Sequence, residues 1–297
     1  MKYYGIQNEV KSYINRLESE QGIAASPSVI KTLNDRVESL KKSGVWSQFA
    51  LGFNDIDGDA YLSRAGVTNI IGRAEVLWFV RGMKTLDLWQ NMVCWSLRGY
   101  QNAGSGSAVY SLGGLGVHNG TLVNAISWSN LGIFWSVNNS YLNVPSLKLP
   151  NVPCTMVAVD NSDTGGYTSN AAVGHHNVFN GKMFFFPGGN REYLAWRTEA
   201  LNFGSFTAST FKSVIMSVNS ISSARGYYNT TPKSVSNVNF NWDGGITTVD
   251  FRYTYSSSNN QTWNLPFLLH ANIDIYNQGI QFRNLYKSTL GNGLGLP

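Results

Sequence analysis

From Val93 onward the chain has a rhythm that few folds can accommodate. Apolar runs of roughly four to eight residues are each cut short by Gly, Pro, Asn, Asp or Ser. Runs of that length suit strands and are too short for helices. The pattern predicts strands near 92–97, 108–111, 120–124, 133–136, 154–160, 171–176, 182–187, 192–197, 212–218, 224–228, 247–255 and 271–276. Turn material separates them, for example Asn161-Ser162-Asp163-Thr164-Gly165-Gly166 and Pro187-Gly188-Gly189-Asn190. Short strands with polar, Gly-rich turns imply a mainly β fold: two antiparallel sheets packed as a jelly-roll sandwich. Residues 267–280 are expected to extend as a closing strand. Residues 281–290 follow as a short helix that packs through Phe282, Leu285 and Tyr286, and 291–297 as an extended tail.

Ahead of this lies a different periodicity. Ile6, Val10, Tyr13, Ile14 and Leu17 fall at helical spacing, as do Ile30, Leu33, Val37 and Leu40. Ser26 with Pro27 reads as the start of the second helix, and Gly44 as its stop. Residues 33–51 and 76–94 echo each other at a shift of 43. Leu33 meets Val76, Val37 meets Val80, Lys41 meets Lys84 and Trp46 meets Trp89, each copy reading as helix, turn, Trp and apolar strand. The expected organisation is a helical region, 1–88, with this duplicated unit, and a sandwich, 89–297. The apolar faces of the first two helices are ones a neighbouring protein could cover, which suggests attachment or assembly.

Charged residues are only 13% of the chain, about half the usual share. The net charge of +5 is scattered, with Lys41-Lys42 the single basic doublet, so a nucleic-acid partner is not expected. The first twenty residues lack the apolar run of a signal peptide, and nothing approaches a membrane span, so synthesis in the cytoplasm without membrane insertion is expected. Cys94 and Cys154 both sit in apolar segments; reduced core thiols fit better than a disulfide.

Catalytic patterns are sparse. Asp55, Asp57 and Asp59 alternate as in a calcium loop, but Ala60 stands where that loop needs Gly and Gly66 where it needs Glu. They are weak metal candidates, with a solvated turn the plainer reading. No pair of carboxylates sits at alternate positions of a strand as a glycosidase of this architecture requires. Glu192 and Glu199 are better read as partners of Arg191 and Arg197, and Asp160 and Asp163 as flanking a turn. Gly113-Gly114-Leu115-Gly116 lacks the Lys-Ser/Thr of a phosphate loop. His175 and His176 would point to opposite faces of a strand. No cofactor is expected. Trp128, Trp135, Trp196, Trp242 and Trp263 could stack on sugar rings, though most should fill the core. Trp242 and Trp263, beside Asn241 and Asn264 in polar turns, are the carbohydrate-binding candidates.

His118-Asn119-Gly120-Thr121-Leu122-Val123, then Trp128, Ile133 and Tyr141-Leu142, resembles the opening of the concanavalin A-like (laminin G-like) sandwich family. Val173-Gly174-His175-His176 with Phe184-Phe185-Phe186, and the stretch 273–286, are similar to its central hairpin and its ending. The resemblance covers about residues 90–290. With helices in front and Gly-Leu-Gly-Leu-Pro at 293–297, the chain looks like members encoded by tailed bacteriophages. This implies a non-enzymatic virion structural protein: a capsid decoration, head fibre or tail-associated protein. It would be a homo-oligomer, with a trimer one option, joined to other virion proteins. The alternative is a carbohydrate-binding module for host-surface adsorption, with cell-surface glycans as partners; a glycoside hydrolase is the remote third.

Overall fold

The structure is a computed structural model. It describes residues 55–124, 127–135, 141–145, 147, 153–161, 173–174, 184–186, 193–196, 199–202, 210–220, 222–236 and 263–297. Among the described residues two helices come first, α1 (Ile56–Arg64) and α2 (Ile70–Thr85). The strands then run β1 (Met92–Ser96), β2 (Ala108–Val109), β3 (Gly120–Val123), β4 (Ser127–Ser129), β5 (Gly132–Trp135), β6 (Tyr141–Asn143), β7 (Cys154–Asp160) and β8 (Val173–Gly174). They continue with β9 (Phe184–Phe186), β10 (Tyr193–Trp196), β11 (Glu199–Asn202), β12 (Lys212–Ser220), β13 (Ser223–Tyr228), β14 (Thr231–Ser236), β15 (Trp263–Leu265) and β16 (Phe267–Ala271), before α3 (Gly279–Ser288).

The largest sheet has the order β1-β16-β7-β12-β13-β14, and every neighbouring pair in it is antiparallel. Smaller antiparallel sheets are β15-β5-β4, β2-β3-β6 and β11-β10-β9-β8. The fold is therefore mainly β, as the strand rhythm predicts, with a sandwich at its centre.

Alternation along the large sheet explains why its strands read as apolar runs. Val93 and Trp95 of β1, Met156 and Ala158 of β7, Val214 and Met216 of β12 and Leu268 of β16 face one side. There they meet Val109, Leu122, Ile133, Leu142 and Leu265 from the two three-stranded sheets. The residues between them, Cys94, Val157, Val159, Ile215, Phe267 and Leu269, face the other side, against α1, α2, α3 and the C-terminal tail. Successive strand side chains point to opposite faces, so a sheet buried on both faces is apolar at most positions, and the buried hydroxyls of Thr155 and Ser217 bond to each other. Cys94 and Cys154 are free and lie on opposite faces. Burial raises both thiol pKa values, that of Cys154 to about 12.

The helical layer is thus part of the core. Phe79 of α2, Phe267 of β16 and Phe282 of α3 meet edge-on or tilted at 5.8–6.4 Å, and Phe267 lies 4.5 Å from Tyr286. The second copy of the 43-residue echo has the expected form: α2, a turn with Trp89 in a single 3-10 turn, then β1. The first copy and the helices around Ile6, Val10, Ile14 and Leu17 and around Ile30, Leu33, Val37 and Leu40 lie outside the described residues, as does the strand expected at 247–255. Among the described residues no helix is long and apolar enough to cross a membrane.

Three sequence expectations need correction. Asp55, Asp57 and Asp59 do not lie in a solvated turn: Asp55 caps α1, its Oδ1 accepting from the backbone N–H groups of Asp57 and Gly58 at 3.1 and 3.2 Å. The strand expected over 271–276 ends at Ala271. Thr155 Oγ1 donates to Ile273 O and accepts from Ile275 N–H, and Asp274 Oδ1 accepts from Tyr276 N–H, so these side chains turn the backbone. The tail is not extended. Leu290, Leu294 and Leu296 are buried in the second core, and Gly293 and Gly295 take φ of 79° and 70° to bring the chain back.

Candidate functional site

An open groove of about 420 Å³ lies where the loop after β1 meets the β4–β5 hairpin. Its walls are Gly104, Ser105, Gly106, Ser107, Leu122, Asn124, Ser127 and Trp128. That volume falls at the small end of ligand pockets, about 300–1,000 Å³. Trp128 sits in the middle of β4, paired with Ile133 across a tight turn. Ser129 Oγ holds that turn, donating to Gly132 O at 2.6 Å and accepting from Leu131 N–H at 3.1 Å. The Trp128 ring is half-buried, packed on one side against the sandwich core. Its Nε1–H donates to Gly106 O at 2.9 Å, which fixes the ring plane relative to the loop.

The loop itself, 98–107, is built for this. Its base is clamped by Asn102, whose Nδ2 donates to Ser96 O and Tyr110 O while its Oδ1 accepts from the N–H groups of Ala103 and Tyr110, all at 2.7–3.0 Å. Gly99 N–H donates to Ser129 O at 2.9 Å, tying the loop to the hairpin. Gly104 turns the chain at φ 71°, so close to Gly99 that an added Cβ would stand 2.6 Å from Gly99 O. The next three residues are exposed Ser, Gly and Ser.

Beneath the loop is a buried polar network. Arg98, 5% exposed, donates from Nε to Asn130 O at 2.7 Å and from Nη1 to Leu290 O and Asn292 O at 2.8 Å each. Its guanidinium lies 4.7 Å from the Tyr100 ring centre. Gln101 Nε2 donates to Glu75 Oε2 at 2.5 Å and to Leu290 O at 3.0 Å, and Asn292 Nδ2 donates to Glu75 Oε1 at 3.1 Å. Burial raises the Glu75 carboxyl above its ordinary pKa, with the bonds from Asn292 and Gln101 and the charge of Arg98 pulling the other way. The network joins α2, the loop and the C-terminal tail.

Among the described residues, no charged side chain lines the groove. It offers an aromatic face, hydroxyls and backbone carbonyls. Such a surface can stack on the C–H face of a ring and exchange hydrogen bonds with hydroxyls, which suits reversible recognition.

The residues singled out in the sequence are dispersed. Asn241 and Trp242 lie outside the described residues, and so do His175, His176, Arg191, Glu192 and Arg197. Trp263 is in β15, its backbone paired with that of Trp135. Asn264 is half-buried and structural: its N–H donates to Asn161 Oδ1 at 2.7 Å, and its side-chain amide lies 3.2 Å from Ser129 Oγ. Glu199 pairs with Trp196 in register between β11 and β10. Asp160 ends β7, at the end of the strand expected over 154–160, and is fully buried 2.9 Å from Lys212 Nζ.

Asp55, Asp57 and Asp59 are drawn into ion pairs and caps. Lys84 Nζ stands 2.8 Å from Asp55 Oδ1 and 2.6 Å from Asp57 Oδ2, and Asp59 Oδ2 accepts from Asp55 N–H at 3.1 Å. Desolvation pushes the Asp55 pKa up; the bond from Lys84 and the backbone N–H groups outweigh it and bring the carboxyl below its ordinary value. Among the described residues no group of three His, Cys, Asp or Glu could hold a metal ion. Residues 113–116 are a strap along β1: Gly114 N–H donates to Trp89 O and Leu115 N–H to Met92 O.

Trp128 was one of five Trp residues open to either role; its partner loop carried a readable signal, the Gly-Ser-Gly-Ser run at 104–107.

Two solved structures of Trypanosoma rangeli sialidase align with the chain at TM-score 0.51 and 13% identity. One covers 74% of this chain and 40% of that one; the other, a mutant displaying trans-sialidase activity, covers 75% and 40%. The botulinum neurotoxin serotype D binding domain aligns at TM-score 0.49 and 10% identity, over 67% of this chain and 52% of that one. The chain spans about two fifths of the sialidases' length. At such identity the sialidases are similar in fold alone. No family model matches the chain, and no curated protein matches it. The expectation of a non-enzymatic chain is overturned here: proteins that carry this fold include sialidases, so its architecture is no argument against enzymatic activity.

Proposed function

We propose that the chain is a lectin-like sandwich of the concanavalin A-like kind that binds carbohydrate in the Trp128 groove. The observation that carries this reading is the half-buried indole, its plane fixed by the bond to Gly106 O and framed by Ser and Gly residues in an uncharged groove. Solvent-facing aromatic rings with neutral hydrogen-bonding groups suit sugars, which have apolar ring faces and hydroxyl edges. The setting is the surface of a bacteriophage particle, as a capsid decoration, head fibre or tail-associated protein serving host adsorption. The resemblance at 293–297 supports this setting, with residues 1–44 as the attachment segment.

A glycan array with the full chain tests the binding. The expected result is binding that falls at least tenfold in Trp128→Ala while circular dichroism is unchanged. Equal binding by the variant would remove the groove from consideration. Deletion of residues 1–44 should abolish particle association and leave the sandwich folded. The sialidase neighbours favour a second reading, glycan hydrolysis, checked by incubating the full chain with sialosides and plain polysaccharides. Turnover would establish it.

A further inference from the structure

We infer that the Trp128 groove selects uncharged sugars and discriminates against those bearing a carboxylate. The inference rests on the reading of the groove as a glycan site and adds the class of sugar it takes.

The lining decides the class. The described residues that line the groove include no Lys, Arg or His. A carboxylate entering the groove would be partly dehydrated beside the face of an indole, which carries negative charge density and attracts cations. It would need a cation or charge-assisted donors to compensate. Arg98 is the basic residue on the same loop, and its guanidinium is turned away from the groove. It is 5% exposed, and its Nε and Nη1 donate to the carbonyls of Asn130, Leu290 and Asn292. Those carbonyls belong to the hairpin turn and the C-terminal tail, so releasing Arg98 toward a ligand would unmake the anchor of the loop. A neutral pyranose requires none of this. Its C–H face can lie on the indole, and its hydroxyls can exchange hydrogen bonds with the serine hydroxyls of 105, 107 and 127. In this the groove is unlike what would hold sialic acid, the ligand named for one of the sialidase structures.

The test is a titration of the full, ¹⁵N-labelled chain followed at the Trp128 indole N–H resonance. The assignment comes from the signal lost in Trp128→Phe, which keeps an aromatic ring for packing. The neutral probes are methyl glycosides of glucose, galactose and N-acetylglucosamine. The acidic probes are N-acetylneuraminic acid and glucuronic acid. The expected result is that at least one neutral probe moves the Trp128 resonance with an affinity at least tenfold above either acid. Acids that move it equally or more tightly would overturn the inference and leave the groove standing as a glycan site. Binding that moves other resonances and spares Trp128, or no response to any probe, would overturn the groove reading, and the inference with it.

Discussion

The loop between β1 and β2 has two halves with opposite physical characters. In the first, Arg98, Gln101 and Asn102 are buried, and their side chains bond to backbone carbonyls and N–H groups or to Glu75. In the second, Ser105, Gly106 and Ser107 are exposed and face the groove. Ten residues thus contain both an anchor and a presenting surface. A polar group buried without a partner costs about 1–3 kcal/mol, so the first half is fixed by what its loss would expose. The second half meets water and can exchange it for a ligand's hydroxyls at little cost. A binding loop needs both: the anchored half holds the exposed half in place against Trp128.

Breaking the anchor should have the largest effect. Arg98→Ala removes the donor to the carbonyls of Asn130 and Asn292 and one of the two donors to Leu290 O, and is expected to cost about 3–5 kcal/mol, read from the urea midpoint. A loss below about 1 kcal/mol would show that the network does not hold the loop. Asn102→Ala comes next, at about 2–4 kcal/mol, because four backbone groups lose one clamp. Its glycan affinity should fall as well, since the Gly104 turn loses its base.

Glu75 gives a smaller effect, readable as a slope. Its folded pKa is raised above the ordinary 4.5, so the folded chain binds the proton more tightly than the unfolded chain does. The stability this contributes is full below about pH 4.5 and is lost as pH rises through the folded value. The stability of the native chain minus that of Glu75→Gln should therefore decline over that window. A difference that is flat or rises with pH would contradict the buried assignment. The exposed half should respond least. Ser105→Ala is expected to change stability by less than about 0.5 kcal/mol, yet to weaken glycan binding measurably by isothermal titration. A larger stability loss would erase the contrast between the halves.

How much of this was legible in the sequence depends on which side chains decide each element. β7 and β12 can be read because both their faces are buried, leaving the apolar cores Met156–Val159 and Val214–Met216 that few other structures explain. β14, with Thr231, Pro232 and Lys233 exposed at the sheet edge, has no such run and escaped notice. The false strand at 271–276 arose because Ile273 and Ile275 alternate as strand residues do. What ends it is Thr155, more than a hundred residues away, bonding to both backbone groups. The tail misled in the same way: Leu294 and Leu296 look exposed until the helix they fold against is in place.

The candidate site was harder still. Composition gives the number of tryptophans but not which of them line a groove, and what marks Trp128 is the loop whose Gly106 carbonyl takes its indole N–H. Asn264, beside Trp263 in a polar stretch, reads from sequence as a sugar contact, and the fold uses it to pin β15 to the end of β7 and to Ser129. Asp55, Asp57 and Asp59 kept the spacing of a calcium loop, but the cap of α1 and the Lys84 ammonium occupy their oxygens.

The most direct measurement is a crystal structure of the full chain soaked with a neutral oligosaccharide that binds it in solution. The account predicts a sugar ring stacked on Trp128, with its hydroxyls bonded to the 104–107 loop and Arg98 still bonded to Asn130, Leu290 and Asn292. A sugar bound on another face, with the Trp128 groove empty, would contradict it.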